Sequence, residues 1–183
     1  IGSDWSSDVC SSDLGSMRML LDIRRMFSRY DGPVHCEETV SMEGEDFPGY
    51  TIEGPVHAAF CATLHGAVLQ LECSLHATVR FECARCLAPC TREFPIQETF
   101  PIREADLGSE AAELPFTPEG RLDTKELLYT ELVLHVPGVL LCSEDCAGLC
   151  PVCGCRKPCS CKHETSGGAV DERLAILQQL LSE

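Results

Sequence analysis

The chain has 183 residues, 44% hydrophobic and 23% charged, with a mean hydropathy of zero; this is a globular composition, neither disordered nor fibrous. Its formal net charge of −15 repels phosphate backbones, so any nucleic-acid contact needs a local basic patch or a protein intermediary. No apolar run reaches the ~20 residues that cross a bilayer, and the length suits one ordinary domain with a small appendage.

Residues 1–16, IGSDWSSDVCSSDLGS, carry neither a helical nor a strand period. SDVCSSDL resembles translated sequencing-adapter read-through, so 1–16 is expected to be a non-native or disordered leader and Met17 the natural start. Setting the leader aside removes Cys10, Asp4, Asp8 and Asp13, which leaves thirteen of the fourteen cysteines and moves the charge from −15 to −12. From Met17, MRMLLDIRRMF is interrupted by charges too early for a signal-peptide core. The expected compartment is therefore the cytoplasm, where structural disulfides are rare.

Residues 18–27 and 33–42 are candidate strands. Val56, Ala58, Phe60, Ala62 and Leu64 alternate with polar or small neighbours, and LQLECSLHATVRFEC, 69–83, alternates strictly. The odd positions of 69–83 form one apolar face, and Gln70, Glu72, Ser74, His76, Thr78, Arg80 and Glu82 form a wet one. With a turn at His65-Gly66, residues 56–82 read as a hairpin. Phe94, Ile96, Phe100 and Ile102 continue the pattern, and Pro95 and Pro101 make that segment an edge strand or an interrupted one.

Residues 105–120 are acidic, contain Gly, Pro and Ser, and read as a loop. Asp123 then starts a helix over 123–135, with Glu126 at capping-box spacing. Leu128 and Leu132 share one face, and the helix must end before Pro137. TSGGA, 165–169, is a joint before a final helix marked by Leu174, Leu177 and Leu181, with Asp171 as N-cap.

The expected fold class is thus α+β: a mainly antiparallel sheet or partly closed barrel over about 18–104, a long helix, a C-terminal zinc-knuckle module and a terminal helix. Residues 17–137 form the β-rich core domain, and 138–183 form the cysteine-rich module with the C-terminal helix.

CSEDCAGLCPVCGCRKPCSC, 142–161, packs seven cysteines into twenty positions. Zinc takes four tetrahedral ligands, usually from two short pairs on tight turns. Cys150 and Cys153, followed by Gly154, have the knuckle spacing, and Cys159 and Cys161 complete a four-thiolate set. A second, dispersed set is Cys83 and Cys86 in CARC with Cys142 and Cys146 in CSEDC. One or two structural zinc ions are expected. Cys155, Cys90 and His163 are spare neighbours that could replace a ligand. Cys36, Cys61 and Cys73 read as small core residues.

Catalysis fits these residues poorly. A thioredoxin-like CxxC opens a helix, whereas CARC leads into another strand and CPVC into Gly-Cys-Arg. A catalytic zinc keeps an open position, usually among His or carboxylate ligands, and both sets here are all thiolate. No HExxH, catalytic triad, phosphate loop or dinucleotide fingerprint is present. The expectation is no enzyme. Arg156, Lys157 and Lys162 beside the thiolates read first as charge balance and second as a small RNA-facing patch.

Taken in order, CARCL after an alternating strand, ELLYTELVLHVP, LCSEDCAGLCPVCG, CSC and DERLAILQQLL resemble the YceD-like family of large ribosomal RNA subunit accumulation proteins. The resemblance spans about 17–181. It implies a bacterial ribosome-assembly factor that promotes accumulation of large-subunit rRNA, with no established enzymatic activity. The proteobacterial branch of the family keeps the CxRC motif without the C-terminal cysteine run. Glu172, Cys155 and Cys90 depart from the usual pattern, which here has Pro, a residue other than Cys, and an aromatic. The acidic body further suggests a basic ribosomal protein as the partner, in place of the rRNA itself. The reading from another class is a redox-responsive zinc protein that releases metal on thiol oxidation.

Overall fold

The computed structural model describes residues 10–12, 19–107 and 113–161. In chain order the elements are β1 (Cys10–Ser12), β2 (Met19–Asp22), α1 (Ile23–Ser28), β3 (Val34–Ser41), β4 (Tyr50–Ile52), β5 (Pro55–His65), β6 (Val68–Glu82), β7 (Pro89–Arg103), a 3-10 turn (Glu104–Asp106), β8 (Arg121–Asp123) and α2 (Thr124–His135). The final helix expected around 171–181 and the spare ligand His163 lie outside the described residues.

The alternating segments form the expected hairpin. β5 and β6 pair antiparallel from His57 opposite His76 to His65 opposite Val68. Gly66 makes the turn with φ of 63°, a region that glycine enters without steric cost. β6 is the central strand. All fifteen of its residues pair with β7 along one edge, while β5 and then β4 occupy the other. β3 adds outside β5. A separate small sheet joins β1, β2 and β8; three residues of the supposed leader, Cys10–Ser12, thus pair with Met19–Leu21.

The sheet is open, which corrects the expectation of a partly closed barrel. Among the described residues β3 pairs only with β5, and β7 only with β6. Helices cover the apolar face, so closure is not needed to bury it. β7 is an edge strand carrying Pro89, Pro95 and Pro101, all exposed, and proline is tolerated on an edge because it takes a donor from no central ladder.

The core lies on the odd face of β6. Leu69, Leu71, Leu75 and Val79 are fully enclosed, with Cys73, Ala77 and Phe81 between them. Leu127, Leu128 and Leu132 of α2, Ile23 and Met26 of α1, Leu21 and Leu122 cap this face. Each enclosed leucine contributes roughly 1.5–3 kcal/mol. α2 starts where its sequence says: the Asp123 carboxylate accepts from the Glu126 N–H at 3.2 Å. It spans twelve residues, an ordinary length and not the long helix expected. Its register on the sheet is pinned by the Tyr50 hydroxyl, which donates to the Leu132 carbonyl at 3.0 Å, and by the Tyr129 hydroxyl, which donates to Asp46 O at 2.9 Å. Residues 18–27 divide into β2 and the short α1, whose N-cap is Asp22. The strand reading of the second half failed because Ile23 and Met26 sit one helical turn apart, a spacing too short to show a period.

One cysteine departs from its core assignment and another departs in its chemistry. Cys36 is half-buried and packs against the core, but it is disulfide-bonded, although disulfides were expected to be rare. Cys61 lies half-buried on the outer face, 3.9 Å from His35 Nε2. Cys73 is core, as expected.

Two carboxylates are folded against the helical layer. Glu131 of α2 is 5% exposed, and burial raises its pKa against the opposing pull of His135, whose Nδ1 lies 3.3 Å away. Glu38 on β3 has a buried Oε1 without a hydrogen-bond partner among the described residues. Burial pushes its pKa up to about 7 from 4.5; a Thr124 hydrogen bond opposes this, and the Asp123 charge adds to it. The unfolded chain ionises this carboxyl first, so folding loses stability as pH rises from 4.5 to about 7, and the full loss persists above. Glu38→Gln should therefore raise Tm at pH 8 and leave it close to wild type near pH 4.5. An equal shift at both pH values in thermal unfolding would refute the assignment.

Candidate metal centres

The end of the β6–β7 hairpin forms a tight knuckle. The Cys83 N–H donates to Ala88 O at 2.9 Å, and the Leu87 N–H donates to Cys83 O at 2.8 Å. The fifteen-pair ladder behind it holds this turn in place. After α2 the chain returns to the same end. The Ala84 N–H donates to Leu140 O at 2.9 Å, and Arg92 Nη2 donates to Leu141 O at 2.8 Å. Arg85 Nη1 donates to the carbonyls of Glu144 and Cys146, both at 3.1 Å. A guanidinium offers several donors in a fixed fork, and here it orders the segment that carries the second cysteine pair.

The result joins Cys83 and Cys86 with Cys142 and Cys146. The sulfurs of Cys83 and Cys146 lie 3.7 Å apart, as do those of Cys86 and Cys142. Four thiolates around zinc at about 2.3 Å have tetrahedral edges of about 3.8 Å, so this set has the size of such a site. It is nearly enclosed: Cys83 is 0% exposed, Cys86 4% and Cys146 9%.

Cys150, Cys153, Cys159 and Cys161 form the second set. Cys161 Sγ lies 3.0 Å from Cys159, 3.1 Å from Cys153 and 3.3 Å from Cys150. These edges are shorter than a metal tetrahedron requires. Cys153 is exposed and Cys159 and Cys161 are half-buried in loops, so the sulfurs can spread without disturbing a packed core. Within each set the ligand atoms all lie within 4.8 Å of one another, so both sets could hold a metal ion.

The spare cysteines fall outside both sets. Cys155 is exposed, and its thiol points to Cys153 O at 3.8 Å. Cys90 packs beside the first set, with its thiol donating to Ala88 O at 3.4 Å.

The two knuckles repeat one backbone pattern. Cys150 N–H donates to Cys155 O, and Gly154 N–H donates to Cys150 O, both at 2.8 Å. Each knuckle aims amides at its first sulfur, and this lowers that thiol's pKa. Cys83 falls to about 6, chiefly through the amide of Cys142, against the effect of burial. Cys150 falls to about 6, chiefly through the amide of Cys153. Cys146 goes the other way: its Gly148 amide pulls it down, but thiol contacts with Cys142, Cys86 and Cys83, together with burial, push it up to about 12. Without an ion, each set thus shares a thiolate among thiols, an anionic pocket suited to a soft divalent cation.

The sets are joined side by side. A Cβ on Gly148 would stand 3.1 Å from the Arg85 carbonyl, so glycine is needed where the two modules touch. Arg156 comes from the second module, and its Nη2 lies 4.0 Å from Cys142 Sγ of the first. This matches the charge-balance reading of that residue. The sequence pattern pointed to all eight cysteines of the two sets but missed Arg85, Arg92 and Gly148 as supports, because their contacts are with backbone distant in the chain.

Elemental analysis of the full chain should find two metal ions per molecule, falling to one in Cys150→Ser and to one in Cys86→Ser. A loss of both ions in Cys150→Ser, with the fold intact, would overturn the independence of the two sites.

A family model described as Large ribosomal RNA subunit accumulation protein YceD matches residues 71–181, a stretch that contains both cysteine sets. Uncharacterized proteins of Mycobacterium bovis and of two strains of Mycobacterium tuberculosis are each 29% identical over 104 residues, 55% of this chain and 49% of the relative. The chain spans about half the length of these curated relatives. No solved structure matches it. Among the described residues no helix is long and apolar enough to cross a membrane.

Proposed function

The chain belongs to the YceD family, and we propose that it acts as a non-enzymatic assembly factor that promotes accumulation of large-subunit ribosomal RNA, with structural zinc in both cysteine sets. The family match over 71–181 carries this reading. The family's description implies the role in rRNA accumulation; the zinc and the absence of catalysis are our own inferences.

Zinc is supported by the all-sulfur donor sets and by the 3.7 Å edges of the first. A structural role, in place of a catalytic one, is supported by the same chemistry. Four thiolates saturate the ion, and neither set includes a histidine or carboxylate ligand. The zinc would staple segment 140–161 to the end of the sheet and give a tail poor in apolar side chains a fixed shape. The reducing cytoplasm is the compartment that suits so many thiols. The partner would be large-subunit rRNA or a basic ribosomal protein, and the charge of −15 favours the protein.

In cells depleted of this protein, the ratio of large-subunit to small-subunit rRNA should fall. Wild type should restore it, whereas the double variant Cys86→Ser, Cys150→Ser should not. An unchanged ratio on depletion would remove the proposal.

One observation favours the redox reading: in the second set Cys153 is exposed and its thiol is shifted toward thiolate, first by the hydrogen bond from Cys161. Peroxide could oxidise two such thiolates to a disulfide, itself being reduced to water, and the ion would leave. If the zinc is a scaffold, mild peroxide should leave rRNA accumulation unaffected. Reversible zinc release accompanied by a reversible functional change would favour the redox reading.

A further inference from the structure

The two knuckles differ at one position where their shared geometry makes a demand. In both, the residue after the second cysteine has a positive φ: 72° at Gly154 and 57° at Leu87. Both donate their N–H to the first cysteine's carbonyl at 2.8 Å. The turn therefore needs the left-handed region, which glycine enters freely and a bulky side chain enters at a steric cost. Leu87 is the only non-glycine residue with positive φ among the described residues. The fold does not recover this cost by burying the side chain, because Leu87 is 60% exposed. A strained backbone that presents an apolar side chain to water points to a function outside the chain.

Leu87 has company. Val139 is 69% exposed and precedes Leu140, whose carbonyl accepts from Ala84 within the same knuckle. Val152, at the tip of the second knuckle, is 66% exposed. Three of the four exposed large hydrophobic residues among those described thus belong to the cysteine modules, and none of the four is aromatic. A base-stacking platform needs aromatic faces, so this surface suits a protein better than single-stranded RNA.

The local charge points the same way. Around the first set the arginines are engaged, Arg85 and Arg92 on carbonyls and Arg156 toward the Cys142 sulfur, while Lys157 of the second module is exposed. Glu82, Glu144 and Asp145 remain exposed beside the knuckle. Each metal-loaded tetrathiolate would add further negative charge, since four thiolates outweigh a divalent ion.

We propose that Leu87, with Val139 on the segment bonded to the same knuckle and Glu82, Glu144 and Asp145 as an acidic rim, anchors the docking of a basic protein segment that carries an apolar side chain. The partner is a large-subunit ribosomal protein or another basic assembly protein; in this the inference rests on the functional reading above. Leu87 acts by contact with the partner, and the metal sites serve to present it.

The test uses the full metal-loaded chain as wild type, Leu87→Gly and Leu134→Ser, the last a control at an exposed leucine on α2. The probes are the proteins stripped from purified large ribosomal subunits with concentrated salt and the protein-free large-subunit rRNA. Proteins retained by wild type are identified, purified singly and titrated by calorimetry. Leu87→Gly should keep its full metal content and a Tm no lower than wild type, because glycine relieves the turn. It should nevertheless bind the basic protein at least tenfold more weakly, while Leu134→Ser binds as wild type. Equal binding by wild type and Leu87→Gly would overturn this inference and leave the functional reading standing. Retention of rRNA alone, lost in Leu87→Gly, would overturn the choice of a protein partner. Failure of wild type to retain any stripped protein or rRNA would count against the functional reading itself.

Discussion

Four sulfurs from two distant segments meet at one end of a sheet, and the chain after α2 is arranged around them. Cys83 and Cys86 come from a turn that the β6–β7 ladder fixes, and Cys142 and Cys146 come from a segment with little regular structure of its own. That segment reaches the turn because α2 is seated on the core by Leu127, Leu128 and Leu132 and ends at His135. Arg85 and Arg92 then hold its carbonyls. A divalent ion in a four-thiolate set contributes on the order of 10 kcal/mol to folding. That is comparable to the whole stability of a small domain, so an ion held by these sulfurs would fix the arrangement past residue 138 more firmly than apolar burial does.

The same economy explains the polar features of this end of the molecule. Thiolates buried without compensation would be costly. Each first cysteine is instead met by amides of its own knuckle, and Cys83 also by the amide of Cys142. Arg156 adds a cation beside Cys142. The modules touch through Gly148, whose φ of 73° favours glycine and where a Cβ would crowd the Arg85 carbonyl at 3.1 Å. Arg85, Arg92 and Arg156 are therefore engaged in building this region, and the surface around the first knuckle carries exposed Glu82, Glu144 and Asp145 beside Leu87. At the other layer Glu38 and Glu131 are held against the helices under conditions that disfavour their charge, a local conflict that the surrounding packing overrides.

Much of the sheet was legible because its faces differ in chemistry. Strict alternation from Leu69 to Cys83 can be satisfied only by a strand with one buried side, and the odd residues are indeed the buried ones. Asp123 marked the start of α2, since a carboxylate one residue before the first turn can accept a backbone amide. The eight grouped cysteines were legible as short pairs because such spacings constrain a turn. Closure was not legible: alternation says which face is buried, not what covers it, and helices cover it here. Cys61 was misplaced for a related reason. A small residue on the outer face of β5 has the same one-letter signature as one in the core. The disulfide at Cys36 lies outside what spacing can reveal.

By itself the sequence determined the strands of the central hairpin, the cap of α2, and the short cysteine pairs. All of these are local, set by neighbours within a few residues through backbone geometry and side-chain period. Only the tertiary structure decided that the sheet stays open, that Arg85, Arg92 and Gly148 support the cysteine sets, and that Leu87 stands strained and exposed beside an acidic rim. Those features depend on contacts between segments about fifty residues or more apart, where side-chain chemistry permits many pairings and packing selects one.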